Sequence, residues 1–100
     1  MNNDPLGPKD PQEIKLIKFA FARELGGATA ATATATASTH KGVDASPAGV
    51  ILGAPSIVGT DVYVRMQAGL DGVVYKLRVV VTDTAGNVHV ATELVAVQTL

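Results

Sequence analysis

Residues 72–97 read GVVYKLRVVVTDTAGNVHVATELVAV, and the reading of this stretch decides the fold. Val73, Tyr75, Leu77, Val79 and Val81 hold the odd positions, with Lys76 and Arg78 between them. Side chains of a strand change face at every residue, so this is a strand with one buried face. Asp83-Thr84-Ala85-Gly86-Asn87 follows, in which Gly86 or Asn87 accepts positive φ at little steric cost. Alternation resumes with Val88, Val90, Thr92 and Leu94 against His89, Ala91 and Glu93. The pattern predicts a β-hairpin. Its last strand changes phase near Leu94-Val95, so that Val95 and Val97 point opposite to Val88 and Val90. A bulge there leaves apolar side chains on both faces, which makes Val95 and Val97 candidate contacts for a neighbouring protein.

Upstream of the hairpin, Ala68-Gly69-Leu70-Asp71-Gly72 reads as a tight loop. Ser56 to Gln67 reads as one amphipathic strand, with Val62, Val64 and Met66 opposite Tyr63, Arg65 and Gln67. His40 to Pro55 is punctuated by Gly42, Pro47, Gly49, Gly53 and Pro55 and reads mostly as connection, with Val50-Ile51-Leu52 as a short crossing strand. In residues 28–39, ATAATATATAST, Thr at every second position favours a strand with hydroxyls on its solvent face. The Ala30-Ala31 doublet shifts the phase and points to a bulge. One such Thr ladder does not make an ice-binding face, which needs several aligned strands. Arg23 to Gly27 is a turn. Ile14 to Phe21, IKLIKFAF, places Ile17, Phe19 and Phe21 at strand spacing, while Ile14, Ile17 and Phe21 also fit a helix. Aromatic and β-branched content favours strand. Ile14 and Leu16 lie on the other parity, which implies either a bulge or a strand apolar on both faces.

These segments sum to six or seven short strands with a turn every ten or so residues, the pattern of an antiparallel β-sandwich over residues 14–100. Residues 1–13, MNNDPLGPKDPQE, form an extended arm, because Pro5, Pro8 and Pro11 remove backbone donors and hold their neighbours extended. Such an arm is either a flexible terminus that binds nothing or a segment that gains order by lying along a neighbouring subunit; the second reading makes Pro5, Pro8, Lys9, Asp10 and Pro11 the other candidate interface residues. Tyr75 comes early in the penultimate strand, just after a Gly-rich loop. Immunoglobulin-like sandwiches often place there a tyrosine that braces the adjoining connection; an ordinary core aromatic is the equal alternative.

The chain has 100 residues, enough for one modest core, and 47% of them are hydrophobic, which excludes wholesale disorder. Only 17% are charged, against roughly 25% in ordinary domains, so surface is either weakly charged or covered by other subunits. A net charge of −1 without a basic block argues against nucleic acid as a partner. Cysteine is absent, which removes disulfides and thiolate metal sites. The polar N-terminus does not read as a secretory signal, and no apolar run approaches the ~20 residues of a membrane span.

Chemistry is hard to find. His40, in an expected loop, and His89, on the polar face of a strand, have no carboxylate at zinc-site spacing. Asp61, Asp71, Asp83 and Asn87 are scattered, whereas calcium needs about six to eight converging oxygens. Asp83 and Asn87 read as turn formers bonded to local backbone. Glu93 has no second carboxylate for glycoside hydrolysis, and Ser38, Ser46 and Ser56 have no evident base. The expectation is a non-enzymatic protein without catalytic residues, cofactor or metal. Four aromatics, partly needed for the core, are a thin platform for sugar binding.

Lys9-Asp10-Pro11 with Glu13-Ile14, an apolar strand ending at Leu25-Gly26-Gly27, the Thr/Ala-rich strand, Gly69-x-x-Gly72-x-x-Tyr75, and Thr82 through Gly86 occur here in that order. In these points the chain resembles the small virion proteins of tailed bacteriophages described as fibre–tail adaptors or neck/tail proteins. The resemblance implies an immunoglobulin-like β-sandwich that serves as a structural part of the particle. It implies many copies around the neck or tail, assembled in the host cytoplasm as a homo-oligomeric ring that contacts tail, neck or fibre proteins. An immunoglobulin-like repeat of a bacterial adhesin and a carbohydrate-binding module are the alternatives.

Overall fold

The computed structural model describes residues 8–100. Six strands form two antiparallel three-stranded sheets: β1 (Lys15–Ala20), β2 (Ala30–Lys41), β3 (Ile51–Val58), β4 (Asp61–Met66), β5 (Val74–Asp83) and β6 (Val88–Ala96). One sheet has the order β1-β4-β3 and the other β2-β5-β6. The sheets meet along one side, where β2 packs against β3. Among the described residues helix is limited to two four-residue turns, Ala22–Leu25 and Pro47–Val50.

The hairpin is the centre of the second sheet. Val73, Tyr75, Leu77, Val79 and Val81 are all buried, as their alternation requires, and share one continuous core with Ile17, Phe19, Phe21, Val62, Val64 and Met66. Full burial of one such side chain is worth ~1.5–3 kcal/mol, so these residues carry much of the stability. On β2, Ala33, Ala35 and Ala37 press against the core while Thr32, Thr34 and Thr36 are exposed. Small inward side chains let β2 lie close over the other sheet, and the expected irregularity is present between Ala30 and Thr32. His40 lies within this strand, not in a loop.

On β1 the choice between a bulge and a two-faced strand is resolved. Pairing with β4 runs without interruption from Lys15↔Met66 to Ala20↔Asp61. Ile17 and Phe19 are buried, while Leu16 and Ile14 stay more than half exposed. Glycine ends the following helical turn: Gly26 has φ +56, with its N–H bonded to the Ala22 carbonyl.

Three expectations are corrected. Residues 56–67 are not one strand: Val58 pairs with Asp61, so Gly59-Thr60 is a two-residue hairpin turn. Gly59 has φ +63, the geometry that tight hairpins ask of their first turn residue. The connection expected up to Pro55 ends earlier, because β3 runs straight through Gly53-Ala54-Pro55. Its register slips between Leu52 and Ser56, and β3 is an edge strand, where proline is tolerated. Finally, β6 has no bulge: its pairing with β5 is continuous from Val74↔Ala96 to Thr82↔Val88. The inward residues of β6 are the odd ones, including His89, Ala91 and Val95, and Val88, Val90 and Leu94 face solvent.

Candidate protein-binding surfaces

The N-terminal segment is part of the domain from Lys9 onward, so residues 9–13 do not stand apart as an arm. Lys9 pairs with Val97 as a parallel bridge beside the end of β6. Its N–H donates to the Ala96 carbonyl (2.8 Å), and Gln98 N–H donates to the Lys9 carbonyl (2.9 Å). The Lys9 side chain is buried and its ammonium donates to the carbonyls of Ala68 (2.6 Å) and Asp10 (2.9 Å). Burial pushes the Lys9 amine down, against the opposing pull of Glu13 and Asp10. Asp10 accepts from Leu100 N (2.9 Å) and Gln12 N (2.9 Å), and these two bonds hold its carboxyl below the usual range. Asp71 accepts from Thr99 N (2.8 Å). The start of the domain, its end and the 68–72 loop are thus tied into one knot.

Of the residues singled out as an interface, Pro8 is exposed and Asp10 and Pro11 are half-buried. Lys9 is spent inside the knot. Val95 and Val97 are about 1% exposed and belong to the core, so their side chains are not available to a partner. The reason is the uninterrupted β6 ladder, which turns the odd parity inward. Pro5 lies outside the described residues.

Tyr75 is the brace its position suggested. Its hydroxyl donates to Asp44 Oδ2 (2.6 Å) and accepts from Leu70 N–H (2.9 Å), tying the loop after β2 to the loop before β5. The hydroxyl bond, then the Ser46 N–H, hold the Asp44 carboxyl below its ordinary value. Asp83 does the same work at the other end of the hairpin. Its Oδ1 accepts from Ala85 N (2.9 Å) and Asn87 N (2.9 Å), and its Oδ2 lies 3.1 Å from His89 Nε2. The His89 bond is the first cause of the depressed Asp83 carboxyl. The polar groups that stood out in the sequence are therefore consumed in bracing loops. Among the described residues no three His, Asp or Glu side chains gather as a metal site, and no helix is long and apolar enough to cross a membrane.

What remains open is sheet surface. The outer face of β1-β4-β3 carries cross-strand rows: Leu16, Arg65 and Leu52, then Lys18, Tyr63 and Ser56. Val58 and Asp61 end it. A shallow depression of about 380 Å³ is lined by Leu16, Ala54, Ser56, Val58, Tyr63 and Arg65. Leu16 and Val58 are each 58% exposed there. An apolar floor with a half-buried tyrosine, an arginine and the Lys18–Asp61 pair (3.7 Å) at its rim has the composition of a protein-binding patch. The outer face of β2-β5-β6 is a second flat surface, of Thr34, Val80 and Val90 beside Thr36, Arg78 and Thr92.

A small sandwich that spends its polar side chains on loops and leaves two apolar-centred sheet faces open belongs to the class of structural docking proteins. The chain belongs to the family described as podophage GP4 fiber-tail adaptor protein gp77, whose model matches residues 9–96. The protein is thus a phage tail adaptor with a structural role, part of the virion. The matched segment starts at Lys9, the first residue of the knot. No curated protein and no solved structure matches the chain.

Proposed function

We propose that this chain is a non-enzymatic, multi-copy adaptor that attaches fibre proteins to the neck or tail of a phage particle. It is assembled in the host cytoplasm, where its copies are arranged as a ring. The observation that carries the proposal is the outer face of β1-β4-β3, in a chain of the fibre–tail adaptor family. Leu16, Leu52, Val58 and Tyr63 are apolar groups that the fold itself does not use, and Arg65 and Lys18 give the patch an orienting charge. The N-terminal residues up to Pro8, with half-buried Asp10 and Pro11 beside them, are a second place of contact with a neighbouring virion protein.

The test is affinity capture from phage-infected cells with the tagged chain, and with Tyr63→Ala and Leu16→Glu variants. Both residues point away from the core, so the variants keep the fold. The expected outcome is capture of a fibre or tail protein by the native chain and its loss, by tenfold or more, in the variants (roughly the effect of losing ~1.4 kcal/mol). Absence of the chain from purified particles, or capture unaffected by both variants, refutes the proposal.

A further inference from the structure

The edge of β6 carries an inference that goes beyond fibre attachment and does not depend on it. The backbone phase of β6 is fixed by its neighbours. Val97 N–H donates to Val73 and Gly72 N–H donates to Val97, so odd residues bond toward β5. Ala96 and Gln98 instead bond outward, to Lys9. The N–H and C=O groups of Val88, Val90, Thr92 and Leu94 therefore point out of the sheet. This strand, VHVATELVA, has no lysine, arginine, proline or bulge to blunt it, and its one carboxylate is Glu93. Both edges of the other sheet have such devices. β1 carries Lys15 and Lys18, and β3 carries Gly53, Pro55 and a register slip and lies against β2.

We propose that β6 pairs antiparallel with β6 of a second copy of this chain, about a two-fold axis at Ala91, joining two three-stranded sheets into one of six strands. The occupant is chosen by self-complementarity. With Ala91 opposite Ala91, His89 of each copy faces Glu93 of the other, twice over. Val88 faces Leu94 and Val90 faces Thr92, so the exposed apolar side chains (Val88 61%, Leu94 46%, Val90 45%) meet each other. The pairs Val88–Leu94 and Val90–Thr92 are those whose backbone groups point outward, so they become the hydrogen-bonded pairs of the new ladder. Centring on Val90 sets His89 against alanine, and centring on Glu93 sets two carboxylates together; only the Ala91 register matches charge, backbone phase and apolar contact. The Asp83 bond engages Nε2 of His89, leaving Nδ1 as the ring nitrogen for the facing carboxylate. The Lys9 bridge covers the strand beyond Leu94 and so sets the length of the pairing at Val88 to Leu94. A two-fold pair closes on itself, so a ring needs a different surface to join the pairs.

The absence of cysteine makes the test clean. Facing residues at non-hydrogen-bonded positions lie about 4.5 Å apart between Cα atoms, inside disulfide range. Under mild oxidation Ala91→Cys is expected to give a covalent dimer. Glu93→Cys is not, because the two 93 positions lie about 13 Å apart along the strands. The native chain should sediment as a dimer at high concentration, and Thr92→Pro should be monomeric with unchanged circular dichroism, since the N–H it removes points out of the sheet. A native chain that stays monomeric, with Ala91→Cys uncross-linked, overturns the proposal. Equal cross-linking at 91 and 93 overturns the register. A chain that is monomeric alone but cross-links through position 91 to a fibre strand overturns the choice of a second copy.

Discussion

Tyr75→Phe isolates one hydroxyl at the centre of the fold. The ring is fully buried among core residues and remains in place in the variant. What is lost is the 2.6 Å bond to Asp44 Oδ2 and the acceptor for Leu70 N–H. Hydrogen bonds to charged groups contribute ~1.5–3 kcal/mol. The Leu70 N–H loses its acceptor as well, within the same range. The expected cost is about 2 kcal/mol, or a fall in Tm of about 10 °C for a domain of this size. Urea and thermal denaturation followed by circular dichroism measure it. The partner matters as much as the amount: in an Asp44→Ala background the same substitution should cost well under half as much, because the two side chains act as one unit. The pH dependence has a definite sign. The folded state depresses Asp44, so its contribution is complete above its ordinary value of 3.8 and is lost as pH falls through the depressed one. The gap between the native chain and Tyr75→Phe should therefore narrow in acid. At the other end, burial first and Asp44 second raise Tyr75, so its neutral form supports the fold below about pH 10.0 and support is lost as pH climbs through the raised value. A loss below about 0.5 kcal/mol, or an equal loss with and without Asp44, would refute the brace.

Three further outcomes follow from the same geometry. Lys9→Ala removes two ammonium–carbonyl bonds from the knot and should destabilise the chain by about 1–3 kcal/mol, with faster amide exchange at Gln98 and Leu100. Gly69→Ala places a Cβ 2.8 Å from Val97 Cγ2 at φ +97, where both the contact and the backbone oppose it; a loss of about 1–3 kcal/mol is expected in urea. Asp83→Asn weakens the bonds that hold the 84–87 turn and should lower Tm at neutral pH. Its effect should shrink in acid, because the folded state depresses the Asp83 carboxyl and that support is lost as pH falls through it.

How much of this was legible follows from which signals are local. Alternation in residues 73–81 is strict and long, so the core face of β5 could be read residue by residue. The Thr/Ala alternation of β2 was equally plain, including its irregularity at Ala30-Ala31. The Gly59-Thr60 turn is hidden because Val58, Val62, Val64 and Met66 share even parity and look like one strand, whereas the two-residue turn switches the inward parity from Ile57 before it to Val62 after it. The start of β3 is legible in Val50-Ile51-Leu52, but its continuation to Val58 is not. Gly53 and Pro55 look like loop residues, and only edge position and a register slip make them tolerable in a strand. Neither fact is visible without the partner strand.

The candidate interface was harder to read, and β6 shows why. Val88, Val90, Val95 and Val97 are the same residue type, and a strand with valine on both parities does not declare which face is buried. The choice is made by β5: Tyr75 pairs with Val95 and Leu77 with Glu93, so whatever lies opposite the buried odd residues of β5 is turned inward. Once that register is fixed, Val95 and Val97 become core and the even valines become surface. The low charge content, which implies surface either weakly charged or covered by other subunits, thereby gains a location. The uncharged residues are not at the ends of the hairpin but along the outward parity of β6 and over the face of Leu16, Leu52, Val58 and Tyr63. The N-terminal prolines misled in a related way. Proline favours extended backbone, yet extended backbone pairs as readily with its own sheet as with a neighbour's, and Pro11 lies in a turn that Glu13 N–H closes onto the Asp10 carbonyl. Lys9, bridged to Val97 and with its ammonium held by the carbonyls of Ala68 and Asp10, pairs with its own sheet.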